Sequence, residues 1–300
     1  MEASVLTVGE TMALLDPVED GVPGVGDLLT LRFGGAESNL ALALTRLGVG
    51  VRWVSRLGRD PFGDMIEEAL AREGVDVRWA RRDDAPTGLY WKWRVDGETT
   101  VGYRRAGSAA SRLEPGDVPD DALDGIRLVH LTGITMAISD TARALALDVA
   151  RRAKERGALV VFDPNFRPTL PDTPEAAAER QRAILPYVDW YLCGVGEAAL
   201  LWAEGRIPVP SVVRVGERGA IVEGVPVPPP RTETVVDEVG AGDAFAAGFV
   251  YGLLHGWSPP ACAHAANVVA ARALAGTGDW ETLPRLEDVR AELMPPPSSR

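Results

Sequence analysis

The stretch Asp237-Glu238-Val239-Gly240-Ala241-Gly242-Asp243-Ala244-Phe245-Ala246-Ala247-Gly248-Phe249 decides how the rest of the chain is read. Two glycines flank a small residue directly before a helical run. With no side chains in the way, consecutive backbone N–H groups can converge on one point at the helix N-terminus, where the dipole also favours an anion. Asp243 falls in the first expected turn, with its carboxylate near the same point. An acid beside an anion pocket is unfavourable unless it accepts a proton from an attacking hydroxyl. General-base chemistry next to such a pocket is what phosphoryl transfer to an alcohol needs. The plainer alternative is a tight turn whose acid stabilises a helix start, and the tetrapeptide alone leaves both open.

Upstream of this stretch, strand and helix patterns alternate. Strands are expected at 126–131, 159–163, 190–192, 212–215 and 220–222, with helices over 140–156, 174–185 and 197–203. Downstream, 244–254 and 260–274 read as helices. Such alternation argues for a mostly parallel sheet covered on both faces, with ligands outside the carboxyl ends of the strands. Nearer the N-terminus, 4–9 and 51–55 read as strands, and 36–47 and 64–73 as helices closed by Gly48 and Gly74. Residues 87–106 differ: Leu89, Trp91, Trp93 and Val95 alternate with Tyr90, Lys92 and Arg94, then Asp96-Gly97 and a second extended run follow. That is a hairpin signal. The expected organisation is one α/β domain over 1–300 with a small β lid inserted at about 10–33 and 86–106. The proline cluster at 226–230 and the tail 295–300 read as linkers.

Composition narrows the partners. A chain of 300 residues that is 46% hydrophobic can bury a sizeable core, and its net charge of −12 argues against a nucleic-acid or anionic-membrane binder. A small phosphate ligand is still compatible, because local amides and arginines can oppose the net field. Cys193 and Cys262 make neither a disulfide framework nor a CxxC metal site, so a reducing cytoplasm is expected. No apolar run is long enough for a membrane span, and the N-terminus lacks a signal-peptide pattern. Lysine occurs only at Lys92 and Lys154; arginine supplies the other basic residues, which reads as a compositional bias.

There is no Gly-x-x-x-x-Gly-Lys-Ser/Thr loop and no protein-kinase motif set. Gly194-x-Gly196-x-x-Ala199 is a degenerate dinucleotide fingerprint without its expected acid. A second glycine pair, Gly34-Gly35, precedes Ala36-Glu37-Ser38-Asn39-Leu40-Ala41 and a helix, with Asn39 one turn inside. This octapeptide resembles the N-terminal signature of the ribokinase-like (PfkB) sugar kinases, and Asp237-x-x-Gly240-Ala241-Gly242-Asp243 resembles their C-terminal signature. The resemblance covers essentially the whole chain. It implies a ribokinase-like three-layer α/β/α sandwich with a mostly parallel central sheet of about nine strands and a small β-sheet lid that can double as a dimer clasp.

The resemblance also implies an ATP-dependent kinase using Mg²⁺, in some members with a monovalent cation. It makes Asp243 the base and Gly240, Ala241 and Gly242 the anion hole, with Gly34, Gly35 and Asn39 holding the sugar. Within the family, Thr87-Gly88-Leu89-Tyr90, Tyr103-Arg104-Arg105-Ala106-Gly107-Ser108-Ala109, His130-Leu131-Thr132-Gly133-Ile134 and Asp163-Pro164-Asn165-Phe166-Arg167 resemble the branch acting on 2-keto-3-deoxygluconate. A sugar acid needs its carboxylate matched by a planar fork of donors, for which Arg105 and Arg167 are the candidates, with Tyr90, Tyr103 and Asn165 beside them. Arg214, Gly216, Gly219, Gly242 and Asn267 fall to ATP, and Glu197 to the metal through water.

Several positions depart from the family pattern. Gly194 stands where an Asn is usual, Arg214 where a Lys is usual, and Phe166 and Pro171 where Tyr and Trp are usual. The competing readings are a kinase for fructose or ribose and an inactive sugar- or nucleotide-binding regulator. His130 is expected to be a satisfied core histidine.

Overall fold

The computed structural model describes residues 2–95, 98–168, 170, 173–202, 206–230, 240–275 and 278–294. The expected Asp96-Gly97 turn, Asp237, Pro171 and the tail from Pro295 to Arg300 lie outside the described residues. In chain order the strands of the larger sheet are β1 (Ala3–Val8), β4 (Gly50–Gly58), β5 (Ala80–Asp83), β8 (Leu128–Thr132), β9 (Leu159–Asp163), β10 (Trp190–Gly194), β11 (Ser211–Arg214), β12 (Ala220–Val222) and β13 (Val225–Val227). Their spatial order is β13-β12-β11-β10-β9-β8-β1-β4-β5. From β5 to β11 all neighbours run parallel; β12 and β13 turn back antiparallel at one edge.

Apolar runs such as Leu159-Val160-Val161-Phe162 suit this sheet because both faces are covered. One face packs against α1 (Ala36–Arg46), α2 (Pro61–Glu73), α7 (Ala241–Leu254) and α8 (Pro259–Ala273). The other packs against α4 (Asp140–Glu155), α5 (Pro174–Ile184) and α6 (Val195–Leu201). The two short helices α3 (Gly133–Ile138) and α9 (Leu286–Val289) complete the three-layer sandwich. Helices α7 and α8 approach closely because Gly248 faces Ala266, where a Cβ would sit 2.6 Å from the Ala266 Cα.

The second sheet has the order β3-β2-β6-β7, from β2 (Met12–Pro17), β3 (Leu29–Gly34), β6 (Leu89–Val95) and β7 (Glu98–Arg104). It draws on the two segments expected to form the lid. Tyr90 pairs with Tyr103 and Trp91 with Gly102, while Leu15 pairs with both Leu31 and Trp91. Residues directly opposite share a face. One face therefore carries Met12, Leu14, Tyr90, Lys92, Val101 and Tyr103, and the other Leu15, Leu29, Leu31, Trp91 and Trp93.

Helices α3 and α9 fall where no element was expected, and β5, β13, α2 and α7 also differ from the sequence expectation. β5 reads Ala-Arg-Arg-Asp, which hides an edge strand behind charge. β13 occupies the start of the proline cluster, where Pro226 is tolerated at an edge. Helix α2 begins three residues early because the Asp60 side chain accepts from the Gly63 N–H at 2.9 Å. Helix α7 begins at Ala241 rather than 244, since Gly240 takes a left-handed φ of 78° as its N-cap.

Candidate active site

The carboxyl ends of the central strands come level: Thr132 is the register partner of Asp163, and Gly194 that of Arg214. Asp163 is buried there beneath Arg214, whose Nη1 donates to Asp163 Oδ2 at 2.7 Å and to the Gly242 carbonyl at 3.3 Å. Arg214 Nη2 also donates to Glu197 Oε2 at 3.3 Å. Burial opposes the guanidinium charge, but Asp163 and Glu197 override it and raise the Arg214 pKa. Glu197 accepts from the Gly194 N–H at 2.7 Å and the Phe166 N–H at 2.8 Å, and burial raises its carboxyl.

Two helix N-termini meet beside this cluster. In α7 the first intrahelical bond runs from the Ala244 N–H to the Gly240 carbonyl at 2.9 Å. The N–H groups of Ala241, Gly242 and Asp243 therefore have no acceptor inside the helix. From α1, Asn39 donates through Nδ2 to Asp243 Oδ2 at 2.8 Å. Asn165, whose φ of 41° is left-handed, brings its Nδ2 to 3.5 Å from Asp243 Oδ1. Burial pushes the Asp243 carboxyl up to about 7, against the Asn39 hydrogen bond and the Arg167 charge, which hold it down. An acid poised there suits proton exchange at neutral pH.

A cleft of about 1320 Å³ joins these parts, and every residue the sequence nominated lines it. One wall comes from the smaller sheet and the Gly34-Gly35 turn; the other from the β11–β13 edge and α8. Tyr90 Oη donates to Asp279 Oδ2 at 2.5 Å, and the Tyr90 and Tyr103 rings stack with centroids 6.0 Å apart. Arg105 Nε donates to Glu10 Oε2 at 2.7 Å. Arg167 Nη1 donates to the Phe166 carbonyl at 3.3 Å. Gly216 and Gly219 both have positive φ, and a Cβ on Gly219 would collide with the Val227 carbonyl.

The sequence profile of the pfkB family carbohydrate kinases matches residues 2–285. The chain belongs to the pfkB carbohydrate kinase family. A 2-dehydro-3-deoxygluconokinase of Bacillus subtilis (strain 168) is 33% identical to this pfkB kinase over 98% of this chain and 96% of its own. The structure of a 2-dehydro-3-deoxygluconokinase from Thermotoga maritima superposes with a TM-score of 0.88 at 25% identity, covering 97% of this chain and 99% of that one. An uncharacterized sugar kinase from Pyrococcus horikoshii in complex with ATP gives a TM-score of 0.86 at 25% identity, over 97% and 100%.

In this pfkB kinase some expected residues are already engaged. Arg214, nominated for the nucleotide, spends its guanidinium on Asp163, Glu197 and Gly242, so it braces the α7 N-terminus as well as lining the cleft. Asn267 donates through Nδ2 to the Val227 carbonyl at 3.0 Å and to that of Pro228 at 3.3 Å. His130 is only half satisfied: Nδ1 contacts Thr7 Oγ1 at 3.2 Å, but Nε2 has no partner among the described residues. Among the described residues no group of three or more His, Cys, Asp or Glu side chains could hold a metal ion, and Arg214 fills the space between Asp163 and Glu197.

Sequence reading missed three acids and a lysine. Asp279 lies against Gly34, against Gly240 and beneath Tyr90, with Lys92 Nζ 3.4 Å from its Oδ1. Glu10 is buried behind Arg105. Glu37 is buried with its carboxylate against Gly9 and accepts from Thr132 Oγ1 at 2.6 Å and Thr135 Oγ1 at 2.8 Å. The clue available for Lys92 was its rarity: one of two lysines, set in a strand whose alternate positions were aromatic.

Proposed function

We propose that this chain is an ATP-dependent kinase for the primary hydroxyl of a sugar acid of the 2-keto-3-deoxygluconate type. Asp243 Oδ accepts the hydroxyl proton as that oxygen bonds to the γ-phosphorus; the bond from the γ-phosphorus to the β,γ-bridging oxygen breaks and ADP leaves. The three N–H groups at the start of α7 meet the charge on the transferring group. The observation that carries the reading is Asp243 itself, held by Asn39 2.8 Å away beside those N–H groups.

Gly34, Gly35, Asn39, Asn165, Tyr90 and Tyr103 form the sugar side of the cleft. Arg105 and Arg167 offer planar donors to a carboxylate. The names of the Bacillus and Thermotoga relatives support the acid over a neutral sugar. ATP occupies the side lined by Gly216, Gly219 and Asn267, a reading supported by the Pyrococcus complex. Magnesium arrives with the nucleotide, as is usual for an ion held mainly by phosphates and waters. Glu197, with both oxygens accepting from backbone N–H groups, would meet it only through water.

The smaller sheet acts as a lid that excludes water over the cleft. Its outer face exposes Leu29 and Leu31 beside Trp91 and Trp93, and a second copy of the chain covers it. No helix among the described residues is long and apolar enough to cross a membrane.

A coupled ATPase assay over a panel of sugars and sugar acids tests the whole reading. Fastest turnover is expected with 2-keto-3-deoxygluconate, and Asp243→Asn should lower kcat by about a thousandfold with little change in sugar affinity. Near-normal turnover in that variant removes Asp243 as the base; a preference for fructose or ribose removes the acid substrate.

A further inference from the structure

Glu10 stands where the chain crosses from β1 to β2, between the two sheets. Its carboxylate has no exposed surface. One oxygen, Oε2, accepts from Arg105 Nε at 2.7 Å and lies 2.6 Å from Arg105 Nη2. The other, Oε1, accepts from Ser108 Oγ at 2.5 Å. Arg105 and Ser108 belong to a different crossing, the return from β7 to the large sheet. A third crossing touches the same group: Gly88, just before β6, lies so close that a Cβ would sit 2.7 Å from Glu10 Oε1. One buried carboxylate thus gathers three passages of chain between the sheets and grips the guanidinium that lines the cleft.

A guanidinium has five N–H donors in one plane. Glu10 occupies the Nε and Nη2 edge, which leaves the remaining donors of Arg105 in a fixed plane at the cleft wall. A long side chain held this way loses little freedom when a ligand binds, and the ligand gains that difference. Glu10 also cancels the arginine charge, which on its own would weaken attraction for an anion. The two effects have opposite signs, so experiment can separate them.

We propose that Glu10 is a positioning residue for the sugar, acting through Arg105, whose donor plane it fixes against the cleft. The inference rests on the reading of Arg105 as a sugar-acid ligand. It extends that reading to a specificity device: the acid is recognised by the direction of the Arg105 donors more than by net positive charge.

The test is steady-state kinetics of the whole protein for wild type, Glu10→Gln, Arg105→Ala and the double variant, each with the fastest sugar of the panel and with ATP. Positioning predicts that Glu10→Gln raises the sugar KM by about tenfold, with kcat and the ATP KM nearly unchanged. It also predicts that the double variant is no worse than Arg105→Ala alone, since Glu10 has nothing left to hold. A sugar KM that falls or stays level in Glu10→Gln overturns the proposal, because bare charge then outweighs direction. Additive losses, or equal losses toward sugar and ATP, also overturn it, because they report a merely structural role. Should Glu10→Gln fail to fold, Ser108→Ala removes one of the groups that hold Glu10 and keeps the ion pair; a sugar KM about two- to threefold higher is expected, and an unchanged one counts against the proposal. A failure of the sugar-acid reading would show separately, in the substrate panel of the wild type.

Discussion

At the residue scale the chemistry depends on when Asp243 is ionised. Burial raises its carboxyl to about 7, so on the proposed reading the base is half lost near neutrality and protonated below it. The expected pH profile of kcat/KM for the sugar rises with unit slope up to about pH 7 and then levels. A profile flat from pH 5 to 8 would show that another group takes the proton. Gly34 carries a second prediction. A Cβ there would collide with the Asp279 carboxylate and the Tyr90 hydroxyl, so Gly34→Ala should raise the sugar KM by about tenfold and leave the ATP KM alone. Equal rises for both substrates would place Gly34 outside the sugar side. Asp243 and both glycine pairs were legible in the sequence because backbone geometry and chemistry demand those residue types in contiguous runs. Asp279 and Glu10 were not: their partners lie 189 and 95 residues away, and neither sits in a run with any pattern.

At the scale of elements, the alternation of polar and aromatic residues in β6 already separated two faces, and the structure gives each a neighbour or an exposure. Tyr90 and Lys92 turn to the cleft, while Trp91 lies over Gly102 and stacks on Trp93 at 6.1 Å on the other side. On that outer side Leu31 is 46% exposed, so a polar substitution there costs the single chain little. Leu31→Glu is expected to convert an oligomer to monomers at micromolar concentration in sedimentation velocity, with the melting temperature of the monomer retained. An unchanged sedimentation coefficient would mean that this face does not join copies of the chain. The two edge strands that went unread share a cause. β5 is three-quarters charged and β13 contains Pro226, so both borrow their strand character from the sheet edge they complete rather than from their own residues.

At the scale of the whole molecule, the order of strands could not be read from alternation, because every parallel crossover looks alike in sequence until the sheet is closed by packing on both faces. What the fold adds is a set of buried acids at one end of the sheet. Burial raises the carboxyls of Glu37, Glu197 and Asp279 along with Asp243. Each binds its proton more tightly in the folded chain than in the unfolded one. Their stabilisation is therefore complete below the ordinary carboxylate range and is lost as pH rises through the raised values. His130 works in the opposite direction: burial pushes it down to about 4, so its contribution is lost as pH falls from 6.5 toward 4. The carboxyls held below their ordinary range, Asp60, Glu73, Asp76, Asp83, Asp120 and Glu175, also lose stabilisation on acidification, but they are ionised in both the folded and the unfolded chain above pH 5.5 and so do not enter that interval. Above pH 5.5 Asp243, raised to about 7, therefore works against His130, and the net charge of −12 grows less repulsive on acidification, which adds to the side of Asp243. The ligand-free protein should accordingly melt a few degrees higher at pH 5.5 than at pH 8. Asp243→Asn should flatten that difference, since it removes one of the four titrations while keeping an acceptor for the Asn39 amide. A melting temperature that climbs from pH 5.5 to 8, or an Asn variant with an undiminished slope, would mean that these carboxyls are ionised and supported in the fold, and Asp243 would then enter the reaction already charged well below neutrality.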